Sequence, residues 1–231
     1  AEDSRTHFGV FSPGITQFFP RGQVIDLHPW EPNEVGPCLL AALSTNSPIV
    51  ALHLTRPGVE IPDRKALGMG CYMEAAKGAS LIRDYDPSRP KEGCIFVRGT
   101  SSTNSLLGLI REGWFDKNGP NVKLVAAISH ELFMLQPEEW RNQLITQEDW
   151  FNSTFITNGA RQNMWLWTSH KTSYVYAMGS DWDDRWRTGG SGEEVIAEAH
   201  LDTESLRSGI QRFVTDREAR FAEASMPEPV A

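Results

Sequence analysis

Two carboxylates, an arginine, a threonine and a histidine crowd the opening stretch AEDSRTH, with Asp3 and His7 four residues apart. A histidine near neutrality can donate or shuttle a proton at a substrate hydroxyl, and a neighbouring aspartate can recognise a second hydroxyl. The plainer alternative is a pair of exposed terminal residues, because chain ends fray and are poor places for exact chemistry. A start without Met or leader in the middle of such a cluster implies that the end was made by cutting or that another chain completes it. Arg56 closes the run PIVALHLTR. That puts it at the carboxyl end of a strand, where α/β proteins gather ligand contacts, and a guanidinium suits bidentate phosphate binding. Its alternative role is an ion pair between domains. Asn33 and Glu34 read as the cap and first turn of a helix.

Other chemistry-bearing types are weaker signals. RGTSSTNS at 98–105 joins a strand to a helix, so its amides and hydroxyls could cradle an anion, although hydroxyls there usually only cap. His28, His53, His130, His170 and His200 show no i, i+4 pair and no ligand spacing, which predicts structural or exposed rings and no metal site. The tryptophans of NMWLWTS and SDWDDRW could bind sugars, but aromatics dominate interfaces, and a dimer contact is the better reading.

The elements that would position these groups follow from patterning. QVIDL and PIVALHL are buried-type strands around a helix that starts at Asn33 and lines up Val35, Leu39, Ala42 and Leu43. A strand, helix and strand in so short a space implies parallel pairing, and one such unit cannot close a domain. The stretch 57–78 is rich in Pro, Gly and charge and reads as a connector. Beyond it, ASLIRDY, GCIFVRG, NVKLVAAIS, STFIT and SYVYAMG read as strands. SSTNSLLGLIREGWF, QPEEWRNQLI and TQEDWF read as helices. Ser191 and Glu194 have capping-box spacing. A last helix from Asp202 aligns Leu206, Ile210, Phe213 and Val214 before a frayed, charged tail.

At 231 residues and 40% hydrophobic, the chain can bury a real core. Its formal charge of -8, with the 22 basic residues scattered, argues against a nucleic-acid partner. Cys38, Cys71 and Cys94 are odd in number and far apart, which predicts reduced, buried thiols of a cytoplasmic protein. No apolar run reaches the ~18 residues of a membrane span, so no membrane partner is expected.

In order and spacing, EDSRTH, a loop from His7 to Pro20, VIDLHPWEPNE, a helix and PIVALHLTRP resemble the later half of the pyrimidine-binding domain of transketolases. That family reads GEDGPTH, a loop ending in Pro, a strand closing on Pro and an Asn-Glu pair, a helix, and a strand ending Leu-Thr-Arg. The resemblance covers about the first sixty residues; the rest is compatible with the family's C-terminal domain by element order. It implies an α/β chain: residues 1–56 a partial parallel sheet of the pyrimidine-binding domain, 57–78 a connector, 79–216 a mostly parallel, mixed sheet with flanking helices, and 217–231 a tail.

The resemblance further implies an enzyme that uses thiamine diphosphate and Mg2+ between two subunits of a homodimer to move a two-carbon ketol unit between sugar phosphates. Asp3 and His7 match residues lining its substrate channel, and Arg56 the arginine that grips the substrate phosphate. Ser4 and Arg5 replace the usual Gly-Pro, and Phe8 and Gly9 replace Gln-Pro, so acceptor tolerance is open to change. The family's GDG motif and cofactor-protonating glutamate have no counterpart in this sequence. The implied part is therefore inert alone, binds no cofactor itself, and relies on the remaining N-terminal part of the enzyme. Alternatives are the C-terminal half of a 2-oxoacid dehydrogenase or 1-deoxyxylulose-phosphate synthase, or a noncatalytic module that binds an anion or scaffolds a partner; the Asp-x-x-x-His motif favours the first reading.

Overall fold

The computed structural model describes residues 12–55, 58–100, 103–117, 119–185 and 187–224. A 3-10 turn over Ser12–Phe18 precedes β1 (Val24–Leu27), and a second over Pro32–Glu34 leads into α1 (Val35–Leu43) and β2 (Ile49–Leu52). β1 and β2 pair in parallel with Val24 opposite Ile49, as a short crossover requires. Glu31, not Asn33, caps this helical segment: its carboxylate accepts from the Asn33 amide at 2.7 Å, with Pro32 filling the first turn. The small side chains of Cys38 and Ala42 face inward, whereas Leu43 lies a further quarter-turn round and is exposed. β2 is not the buried strand its composition suggests. Ile49 is exposed and Val50 to Leu52 are only half-buried, because this two-stranded sheet has nothing packed on its outer side among the described residues.

The connector carries a 3-10 turn over Tyr72–Lys77 that ends on Gly78 and feeds β3 (Ala79–Arg83). Then follow β4 (Gly93–Arg98), α2 (Thr103–Arg111), α3 (Trp114–Lys117), β5 (Val122–Ala127), α4 (His130–Met134), α5 (Glu138–Leu144), α6 (Gln147–Phe151) and β6 (Ser153–Thr157). The sheet runs β3-β5-β4-β6 and then a two-residue strand β7 (Met178–Gly179). All neighbours are parallel except β3, which is antiparallel to β5. From β4 the chain moves to one side through α2 and α3 to β5, then back across β4 through α4 to α6 to reach β6. Right-handed crossovers then put the two helix sets on opposite faces. Ile95, Val97 and Leu124 pack with Leu106 and Leu107 of α2 on one face, and Cys94, Phe96 and Val125 pack with Phe133, Ile145 and Trp167 on the other. Covered on both sides, β4, β5 and β6 are buried throughout.

Residues 173–175, part of a strand-like run, instead finish α7 (Lys171–Val175), because the His170 ring accepts from the Thr172 amide and starts a helix. α8 (Gly192–Glu198) has the expected capping box of Ser191 and Glu194, and α9 (Thr203–Thr215) starts on Asp202. The segment after Asp216 does not fray at once. α10 (Arg217–Ala224) continues, held by buried Arg220, which donates to Asn152 Oδ1 at 2.8 Å and lies 3.9 Å over the Phe213 ring. Among the described residues no helix is long and apolar enough to cross a membrane. Cys38 and Cys94 are buried as expected, but Cys71 is exposed, since it precedes the 3-10 turn on the surface of the connector.

Candidate functional site

Asp3, His7 and Arg56 lie outside the described residues, as do Ser101 and Ser102 of the 98–105 loop. The most concentrated polar chemistry within them sits where β1 crosses the carboxyl ends of β4 and β5. The His28 amide donates to Ile128 O at 2.8 Å, so the two sheets meet at this edge. Asp26 and His28 share one face of β1 by strand alternation. Continuing the register of Leu27 opposite Leu52 sets His28 beside His53, and their rings stack at 4.2 Å and 3°.

Asp26 is the hub. Arg98 Nη2 donates to its Oδ2 at 2.8 Å and His53 Nε2 donates to its Oδ1 at 2.7 Å. The same Arg98 nitrogen contacts His28 Nε2, and its other terminal nitrogen donates to Asn163 O. Burial alone would raise the Asp26 pKa, but the contacts of His28 and His53 and the charge of Arg98 outweigh it and hold the carboxyl well below the usual range. His28 is pushed down to about 3, by burial first and then by the Arg98 charge. It is therefore neutral near pH 7, and its Nε2 also lies 3.0 Å from Asp26 Oδ2, so it shares that carboxylate with His53 and Arg98.

Asp26, His28 and His53 bring ligand atoms within 4.8 Å of one another, a grouping across two strands that no helical spacing records. Alternation on β1 combined with the parallel register was the available signal. The set nevertheless suits a metal ion badly. Stacked rings aim their lone pairs along parallel planes that do not converge, and the Arg98 cation occupies the shared carboxylate oxygen. Magnesium in particular takes oxygen ligands, and two of these three donors are imidazoles. Nothing in this donor set fits a magnesium diphosphate. The cluster acts as an ion-pair tie between the two sheets.

A second tie lies in the connector. Buried Arg64 donates from Nε to Glu31 at 3.0 Å, from Nη2 to Glu34 at 2.5 Å and from Nη1 to Gly70 O at 3.0 Å. Glu34 also accepts from Ser80 of β3 and the Trp30 amide. Glu34 is thus more than a first-turn residue; it is wholly buried, and burial raises its pKa against the pull of Arg64. In the 98–105 loop, Thr103 donates to Trp30 O at 2.5 Å and Asn104 accepts from the Glu60 amide at 3.2 Å. These groups are committed to holding the connector and first unit rather than offered to an anion. Trp167 is buried in the second core, whereas Trp165 and Trp182 are exposed.

No family model and no curated protein matches the sequence. Solved structures do. A transketolase of Pichia stipitis in complex with sedoheptulose 7-phosphate superposes with TM-score 0.69 at 16% identity, over 95% of this chain and 29% of that one. This is a transketolase-like fold. The transketolase of Leishmania mexicana gives 0.67 at 16% identity, over 98% of this chain and 30% of its own, and that of Campylobacter jejuni 0.62 at 16%, over 92% and 29%. The chain therefore spans under a third of the length of these structures. Within the transketolase-like fold, the Asp26 and Arg64 clusters are the ties between the two-stranded unit, the connector and the five-stranded sheet.

Proposed function

We propose that the chain is the C-terminal part of a transketolase-like enzyme that uses thiamine diphosphate to move a two-carbon ketol unit between sugar phosphates, and that it is inert alone. One observation carries this reading: among the described residues the parallel sheet of β1 and β2 is open on its outer side, with Leu40, Leu43, Ile49 and Leu54 exposed. A parallel pair needs further strands and helices over it, and a complementary part of the same enzyme is the natural cover. The likeness to transketolases solved with sedoheptulose 7-phosphate, xylulose 5-phosphate and fructose 6-phosphate supports the substrate class. In this reading Asp3 and His7 line the substrate channel and Arg56 grips the substrate phosphate. The magnesium diphosphate is held elsewhere in the complete homodimer, since the donors described above do not suit it.

The test is reconstitution. The chain is produced with the segment from the same genome that carries a GDG motif, and ketol transfer from xylulose 5-phosphate is measured with thiamine diphosphate and magnesium. Activity from the pair and none from either part is expected. A stable complex that leaves xylulose 5-phosphate untouched, or no complex at all, would sink the proposal.

A further inference from the structure

A cavity of about 440 Å³ opens against the Asp26 cluster, with Asp26, His28 and Arg98 in its lining. Its floor is the carboxyl ends of β4 and β5, at Arg98 and Ile128; β1 forms one wall, and α4 with Trp165 and Trp167 the other. The chain leaves β4 and β5 toward opposite faces of the sheet, and the crevice at such a switch point is where open α/β sheets take ligands. The walls are mostly apolar. Phe19, Met134, Leu135 and Trp165 around the opening are 46%, 47%, 65% and 50% exposed, and apolar side chains of that size gathered at one mouth mark a binding surface.

Glu131 lines this space without a direct ion-pair partner among the described residues, although its charge acts on nearby Arg98. The Glu131 Oε2 accepts from the Asp26 amide at 3.4 Å and from Ser129 Oγ at 3.3 Å. Arg98 is committed to Asp26, and Arg21 stands exposed at the rim. His130 is held down to about 4, chiefly by burial and then by Arg21 and Arg141, so it adds no positive charge near neutrality. Burial, with the Asp26 charge adding to it, raises the Glu131 pKa against the pull of its hydrogen bonds.

We propose that this cavity binds a flat aromatic molecule whose amino or amidino group donates to the Glu131 carboxylate. The ring lies against Trp165, Trp167 and Met134, and its nitrogen adds a charged donor to those from the Asp26 amide and the Ser129 hydroxyl. Such a site, apolar with one oriented polar group, has the usual make-up of a small-molecule pocket. The test uses the full-length protein and three ring probes of similar shape, titrated by calorimetry and tryptophan fluorescence: benzamidine, benzoate and benzyl alcohol. Benzamidine is expected to bind at least tenfold more tightly than benzoate. Glu131→Gln should weaken benzamidine at least tenfold and leave benzyl alcohol within twofold. Met134→Trp, which narrows the mouth at an exposed position, should weaken all three while near-UV dichroism stays native. Equal binding of benzamidine and benzoate, no saturable binding, or an indifferent Glu131→Gln would each overturn the proposal. None of these readouts depends on ketol transfer, so its failure is separate from failure of the enzyme reading.

Discussion

Arg98, the last residue of β4, donates to Asp26 on β1 at 2.8 Å, and both are almost wholly buried, so one charge-assisted bond ties the edge of one sheet to the other. Breaking such a pair from one side leaves the other charge stranded in low dielectric. Arg98→Met should therefore cost about 3–5 kcal/mol in urea unfolding. Arg98→Met with Asp26→Asn should recover part of that loss. If the two single losses simply add, the pair is not coupled.

Arg64 neutralises two carboxylates that have no exposure at all, Glu31 and Glu34. Arg64→Ala should lower the urea midpoint by an amount equivalent to about 3–5 kcal/mol. Glu34→Gln, which keeps the shape and removes one charge, should cost clearly less. A milder effect of Arg64→Ala than of Glu34→Gln would show that the connector is held by packing alone.

Acid should loosen the junction through His28. Its folded-state pKa of about 3 lies below its ordinary 6.5. Between those values the unfolded chain binds a proton that the folded chain refuses. The contribution of neutral His28 is thus complete above pH 6.5 and is lost as pH falls toward about 3. Glu34 and Glu131, whose pKa values are raised in the folded chain, act in the opposite sense. The difference between proteins isolates His28: in His28→Gln the fall in melting temperature from pH 7 to 4 should be visibly shallower. Parallel curves would mean that His28 does not titrate in this range.

Gly78 ends the connector's 3-10 turn at φ 86, and its carbonyl accepts from the Ile128 and Ser129 amides. A Cβ there would stand 2.3 Å from Ser129 O and 2.4 Å from Phe133 N. Gly78→Ala should cost roughly 2 kcal/mol or more, from the left-handed backbone and from displaced main chain. A loss within 0.5 kcal/mol, the ordinary scatter of about that size for surface changes, would show that β3 and α4 can move apart freely.

In the complete enzyme, Arg56→Ala should raise KM for phosphorylated substrates by about 1.5–3 kcal/mol, some ten- to hundredfold, and leave non-phosphorylated ones nearly unchanged. His7→Ala should slow ketol transfer, and Asp3→Ala should weaken discrimination between sugar hydroxyl configurations. Equal losses of Arg56→Ala on both substrate types would assign Arg56 to the fold.

Local rules in the sequence determined much of this protein. Continuous apolar runs made β4, β5 and β6, because strands covered on both faces have no polar side to show. The Ser191 and Glu194 capping box and the Asp202 cap placed α8 and α9, since capping is chemistry within one turn. Where local rules competed, patterning misled: the apolar run ending in Gly179 was divided between α7 and β7 by the His170 cap, which periodicity does not register.

What only the tertiary structure decided is the partnership of residues far apart in the chain. Asp26 and His53 are 27 positions apart, Arg64 and Glu34 are 30, and Arg98 and Asp26 are 72. Read singly, Glu34 was a first-turn residue, His53 an isolated histidine, Arg64 a charge in a connector, and Asp26 and Arg98 polar residues of apolar strands. Their roles arise from burial and pairing. A carboxylate or guanidinium is tolerated in a low-dielectric interior only when its counter-charge is delivered there by another element, and no spacing along one segment records which element that will be.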